Sequence, residues 1–346
     1  MKFKNDFPLL KSCTYFNTAY VGLMSKSLYD FRVNFERDYL DHGDDYKLKA
    51  YDNLPQTQAL IASFIGSKKE QTYFVSNFST GIRYVMDLLP ENTNVLYING
   101  DYHSLVSSIE DKKFNLFPID MSDNLEPAIA SSLENNQIDT LVISMVQYTN
   151  GLLIDFDFLR DLKQKHPGLS IIGDATQYIG TDIFNFYNSP FDAIVCSGYK
   201  WLLAGFGNGF VALSDTFLAK NNTSSDKFAE KVYAGHFNIL GAASLVFALE
   251  RLIENDFKKL VETNQLLSSE LRKALSLNGY KPACHLRKKH SSIISIDYDE
   301  SFLKLMEEKN IKVARRGDYI RFSIHFYNTS DDIKNLIEVI KKMVIA

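Results

Sequence analysis

Residues 197–210 read SGYKWLLAGFGNGF: a lysine beside the chain's only tryptophan, in an apolar run that ends among Gly205, Gly207 and Gly209. Two readings compete. The glycines could cradle a nucleotide phosphate beside an ordinary surface lysine, or Lys200 could be a buried amine kept for covalent chemistry. A dinucleotide-binding loop follows a strand and opens a helix. Here the glycines lead into FVALS (210–214), which reads as a strand, so the nucleotide reading lacks its context.

Upstream, SIIGDATQYIG (170–180) places Asp174 and Gln177 just past an apolar strand, where open α/β sheets present ligand-binding groups. The next strand, AIVCSGYK (193–200), ends in Ser197, Tyr199 and Lys200. An acid and a lysine at the ends of neighbouring strands converge on one crevice. Pyridoxal phosphate chemistry needs that pair: the lysine forms a Schiff base, and the acid keeps the pyridine nitrogen protonated so that the ring accepts electrons. Ser79 and Thr80 stand between the strand QTYFVSN (71–77) and the helix GIRYVMDLL (81–89). Backbone amides at a helix N-terminus, with a hydroxyl, form an anion site for a phosphate.

These stretches belong to a longer pattern. The β-rich runs QTYFVSN, NVLYING, KFNLFPID, DTLVISMVQ, SIIGDATQ, AIVCSGYK and GFVALS recur between residues 71 and 214, several of them apolar without alternation. Helical segments such as STGIRYVMDLL and FDFLRDLKQKH intervene, which predicts an α/β, doubly wound, largely parallel sheet. The last two runs lie close together, so one edge is expected to be antiparallel. Beyond the polar stretch AKNNTSSDK, a boundary near residue 230 divides a large domain (1–230) from a smaller one (231–346). The latter is expected to hold one long amphipathic helix over 243–275, extended stretches at SSIISIDYD and YIRFSIHFY, and a closing helix with Ile333, Leu336, Ile337, Ile340 and Val344 on one face.

Composition narrows the classes. The chain has 346 residues, 45% hydrophobic and 23% charged, with a net charge of −4 that offers nucleic acid no basic footprint. Arg287, Lys288 and Lys289 read as a solvated turn. Cys13, Cys196 and Cys284 are scattered and include no CxxC, against a disulfide framework or structural zinc. The seven histidines have no metal-binding spacing, so no catalytic metal is expected. Asn5 and Asp6 interrupt the opening MKFKNDFPLLKSC, and no run approaches the ~20 apolar residues of a membrane span. A cytoplasmic protein without nucleic-acid or membrane partners is the expectation.

The pair DATQ (174–177) and SGYKWL (197–202) resembles the class V aminotransferase family, with further matches from YFNTAYVGLMS (15–25) to RFSIHFYNT (321–329). The family includes cysteine desulfurases, selenocysteine lyases, kynureninases and isopenicillin N epimerase. The resemblance implies the pyridoxal-phosphate-dependent transferase fold (fold type I), with a mostly parallel seven-stranded sheet in the large domain and a smaller α+β C-terminal domain. It implies that Lys200 forms the internal aldimine and moves the α-proton, that Asp174 pairs with the pyridine nitrogen, and that Gln177 touches the phenolic oxygen. By the same resemblance Tyr102, rather than its neighbour His103, stacks on the cofactor. Ser79, Ser197 and Tyr199 match phosphate-binding positions, although relatives often have histidine where Tyr199 stands. Tyr148 stands where an asparagine frequently contacts the cofactor. Arg321 matches the arginine that binds the substrate carboxylate, as the guanidinium fork suits, and Asn17 lies in the substrate loop. His236, in AGHFN (234–238), falls where relatives reach across a homodimer to the partner's phosphate.

The fold does not choose the reaction. Cysteine desulfurases carry a cysteine loop shortly before the arginine corresponding to Arg321; here VARRGDYI (313–320) is short and has no cysteine. Transamination of an α-amino acid is the leading expectation. β-Elimination without a catalytic thiol, epimerisation, and a non-catalytic pyridoxal-phosphate-binding protein are the alternatives.

Overall fold

The computed structural model describes residues 4–345; Met1–Phe3 of the opening stretch and the side chain of Val344 lie outside the described residues. The chain starts with β1 (Thr14–Tyr15) and three helices, α1 (Lys26–His42), α2 (Asp44–Asp52) and α3 (Leu54–Ile65). An alternating α/β region follows: β2 (Thr72–Val75), α4 (Phe78–Met86), β3 (Asn94–Asn99), α5 (His103–Glu110), β4 (Asn115–Asp120), α6 (Glu126–Asn135), β5 (Thr140–Ser144), α7 (Phe156–Lys165), β6 (Ser170–Asp174), β7 (Ala193–Ser197) and β8 (Gly209–Leu213).

The seven β-rich runs form one sheet, ordered β2-β8-β7-β6-β5-β3-β4. Successive side chains enter opposite cores: Leu96, Leu141, Ile171 and Ile194 pack on one side, and Val95, Val142, Ile172 and Val195 on the other. Such strands are covered on both faces, which explains their unbroken apolar sequences. The antiparallel strand is not at the edge. β8 runs against both β7 and β2, one place inside it, because the chain reverses through Gly205 (φ +70°) and Gly207 (φ +89°) soon after Lys200. This is the glycine run of the opening stretch, and it leads into a strand.

α8 (Asp215–Lys220) and α9 (Ser225–Val232) follow. The helix expected over 243–275 is two helices, α10 (Ile239–Glu254) and α11 (Phe257–Leu277). Asp256 separates them with φ +56°, and its side chain accepts from Lys259 N at 3.4 Å as the cap of α11. α10 packs on α1 and α3, whereas α11 packs on the C-terminal helix.

The remaining elements are β9 (Ile293–Asp297), α12 (Glu300–Glu308), β10 (Ile311–Lys312), β11 (Ala314–Arg316), β12 (Tyr319–Ser323) and α13 (Ser330–Ile345). β11-β12-β9 form an antiparallel sheet covered by α11 and α13, with Ile333, Leu336 and Ile340 buried in its core. The N-terminal segment joins this unit: β1 pairs with β10, and Asn17 bridges to Ser323. Among the described residues no helix is long and apolar enough to cross a membrane.

Candidate active site

Parallel β6 and β7 end side by side, with Asp174 aligned on Val195. Asp174 is therefore held just upstream of the turn that carries Lys200, and both residues are buried. Burial pushes the Asp174 carboxyl up and the Lys200 amine down, and the mutual attraction of the two charges partly opposes both shifts. An amine with a depressed pKa is neutral more of the time, as a nucleophile or proton acceptor must be. Asp174 also accepts from Thr176 N at 2.8 Å.

Aromatic rings border the amine. Lys200 Nζ lies 5.5 Å from the centroids of both Tyr102 and Tyr199. Tyr102 begins α5 and meets Phe78 and Tyr148 edge-on, at 5.8 and 5.9 Å between centroids. His103, by contrast, is exposed. Gly22 packs against this turn: its N–H donates to Tyr199 O at 3.0 Å, and a Cβ there would lie 2.0 Å from Lys200 O. Only glycine admits so close an approach.

Ser79 is not a helix cap. Asn77 caps α4 by accepting from Thr80 N at 2.9 Å, and Ser79 sits inside the first turn with its hydroxyl on Ser104 at 2.8 Å. The Phe78 amide donates to Ser197 Oγ at 2.8 Å, which ties the N-terminus of α4 to the end of β7. Ser79, Thr80 and Ser197 thus share one corner above the sheet.

Gln177 is buried, with its amide oriented at both ends: Nε2 donates to Ala19 O at 3.0 Å, and Oε1 accepts from Trp201 Nε1 at 2.8 Å. Trp201 in turn stacks on His325, whose Nε2 donates to Trp201 O at 2.8 Å. His325 contacts were not suggested by any motif.

Arg321 on β12 is 1% exposed. Nη1 donates to Tyr148 O at 2.5 Å, whereas Nε and Nη2 are buried without a partner. Burial, with the charge of Arg316 adding to it, pulls its pKa down to about 9. A buried cation with two free N–H groups is costly unless an anion meets it. The Asn17 side-chain oxygen is likewise buried without a partner.

Sequence reading passed over Asp101. This buried carboxylate accepts from Ser144 Oγ (2.6 Å) and N (3.1 Å), Tyr102 N (2.6 Å) and Gln147 Nε2 (3.1 Å). It thereby joins the end of β3 to the turn that carries Tyr148. Its place directly before Tyr102, past an apolar strand, was the available signal. His236 does not join the group: it is exposed, with Nδ1 2.6 Å from Tyr51 OH.

A family model described as aminotransferase class-V matches residues 21–336. A probable cysteine desulfurase of Borreliella burgdorferi is 22% identical, covering 99% of this chain and 95% of its own. Among solved structures, a C-DES variant with glycine covalently linked to its PLP cofactor superposes with a TM-score of 0.87 at 14% identity, covering 97% of this chain and 98% of that one. The apo cysteine desulfurase of Thermococcus onnurineus gives 0.83 at 17% identity, covering 99% and 97%. At these identities the structural likeness is one of fold, that of the pyridoxal-phosphate-dependent transferases. The chain belongs to the class V aminotransferase family.

Proposed function

We propose that the protein is a pyridoxal-phosphate-dependent enzyme acting on a cysteine-type α-amino acid, and that it breaks the carbon–sulfur bond by β-elimination without a protein thiol. The observation that carries the reading is Arg321: two buried, unpartnered N–H groups close to the Lys200–Asp174 pair. That arrangement suits an α-carboxylate held beside an amine able to take the α-proton.

The residues suit the cofactor. The buried Asp174 carboxylate needs a cation against it, and a protonated pyridine nitrogen is one. Ser79, Thr80, Ser197 and Tyr199, at the N-terminus of α4 and the end of β7, would hold the phosphate. Tyr102 would cover the ring, while Gln177 and Tyr148 border the same space. When bound, the cofactor supplies an electron sink for the bond electrons released at the substrate α-carbon. Lys200 Nζ would anchor the cofactor and then move the α-proton. Arg321, with Asn17, would orient the substrate so that this proton faces the amine.

Elimination is favoured over transamination by two things. Similar proteins include cysteine desulfurases and the cystine C–S lyase C-DES, solved in complex with its product cysteine persulfide. The thiols of this chain are poor persulfide acceptors: burial pushes up all three, Cys196 and Cys284 are buried, the half-buried Cys13 donates to Leu9 O, and β11 turns into β12 through Gly317 and Asp318 alone. The reading extends to a homodimer in the cytoplasm. Tyr29, Val33 and Leu40 form an exposed apolar row along α1, and three free cysteines suit a reducing compartment. His236, exposed in its loop, would then reach the partner's phosphate.

The test is to incubate the loaded protein with cystine and measure pyruvate, with and without an added 2-oxo acid. Pyruvate formed without a 2-oxo acid supports elimination. Turnover that requires the 2-oxo acid and yields a second amino acid would establish transamination instead.

A further inference from the structure

We infer that Arg316 is a second anion receptor in the substrate pocket, so that the preferred substrate is an α-amino acid with another carboxylate at the far end of its side chain. The inference rests on the reading of Arg321 as the α-carboxylate receptor.

In the β11–β12 hairpin, Ala314 lies opposite Arg321 and Arg316 opposite Tyr319. Side chains two residues apart on a strand share a face, so Arg316 and Arg321 project from the same face as diagonal neighbours. Such neighbours are about 7–8 Å apart, within reach of long side chains. Arg315, between them in the alternation, goes the other way and lies over the Tyr298 ring at 3.9 Å.

Arg316 is held in place without being neutralised. Its guanidinium stands 4.8 Å from the Tyr20 centroid, and Nη1 donates to Arg315 O at 2.7 Å. Among the described residues no carboxylate lies within ion-pairing distance of Arg316 or Arg321. Arg316 is near enough to weaken the charging of both Arg321 and Lys200. Arg316, Arg321 and Lys200 thus lie close enough to repel one another, with Asp174 opposing Lys200 and assigned to the cofactor in the reading above. An α-carboxylate answers Arg321 alone. A second carboxylate on the same ligand answers Arg316, and the Tyr20 ring keeps that guanidinium oriented while leaving its edge free for hydrogen bonds. The disulfide of cysteine is one amino acid with this charge pattern.

The experiment is calorimetric titration of protein loaded with pyridoxal phosphate, using unreactive dicarboxylates from succinate to suberate, whose six-atom spacer equals that of cystine, each against the monocarboxylate of equal length. At least one dicarboxylate should bind about tenfold or more tightly than its monoacid, the value of one charge-assisted contact. In Arg316→Gln that ratio should fall towards one, and Arg316→Lys should retain part of it. The inference is overturned if wild-type protein shows no dicarboxylate preference at any length, or if Arg316→Gln leaves the ratio unchanged. Failure to release pyruvate from cystine, with the Arg316-dependent preference intact, would reject the elimination reading and leave the receptor standing. Pyruvate release without the preference would do the reverse.

Discussion

Replacing Arg321 with methionine should make the ligand-free protein more stable while destroying its affinity for carboxylates. In the wild-type fold the guanidinium is 1% exposed and makes one hydrogen bond, to Tyr148 O, leaving Nε and Nη2 without partners. Exchanging a buried charge for an apolar side chain of similar length is typically neutral or stabilising by about 1–4 kcal/mol. Losing the hydrogen bond to Tyr148 removes about 1–2 kcal/mol of that gain, and methionine keeps most of the stem's packing. At the midpoints of these ranges the net is a rise of about 1 kcal/mol, on the order of one or two degrees in melting temperature for a chain of this length. Ligand reverses the order. A carboxylate at a hundred times its Kd stabilises wild type by about 2.7 kcal/mol, and two lost charge-assisted bonds weaken binding by about two orders of magnitude or more. The assay is thermal unfolding with and without saturating butyrate: Arg321→Met should melt above wild type without it and below with it. A variant that melts well below wild type, and is still stabilised by butyrate, would refute the argument that Arg321 is an unsatisfied cation awaiting an anion.

Lys200→Ala should reduce pyruvate release to background while the protein still retains some pyridoxal phosphate noncovalently; borohydride should fix the cofactor to wild type and not to the variant. Asp101→Ala strips the acceptor from four hydrogen bonds in a buried site, and urea unfolding should show a loss of about 3 kcal/mol or more. Acid should destabilise the protein from about pH 6.5 downwards: burial holds His325 at about 3, against an ordinary 6.5. Below pH 6.5 the unfolded chain then binds protons that the folded chain does not, so stability present above that pH is lost as pH falls. His325 contributes up to about 1.4 kcal/mol per pH unit. His325→Gln should flatten unfolding free energy against pH between 6 and 4; an unchanged slope would count against this account of His325.

The large sheet was legible because its strands are buried on both faces and announce themselves as unbroken apolar runs. Lys200, Asp174 and Ser197 were legible for a related reason, since they follow such runs directly. What escaped depends on contacts distant in sequence. The Asn255–Asp256 pair was the visible sign that a helix could not continue. The inward place of β8 follows from strand order, which periodicity does not encode. Gln177 pairing with Trp201, and Trp201 with His325, join residues from three separate segments. The Arg316–Arg321 face needs the hairpin register, which neither arginine reveals alone.

The N-terminal segment has a consequence for biosynthesis. Thr14 and Tyr15 pair with Ile311 and Lys312, Ala19 N donates to Ser323 Oγ, and Thr18 bonds Tyr327. These residues thus wait for partners made about 300 residues later, roughly 15–60 s at ordinary elongation rates. The large sheet can form meanwhile, but Asn17 cannot be secured until Ser323 is made. Catalytic competence should therefore arise only once residues 311–323 have left the ribosome, and a nascent chain stalled before residue 311 should hold a folded sheet without a working site.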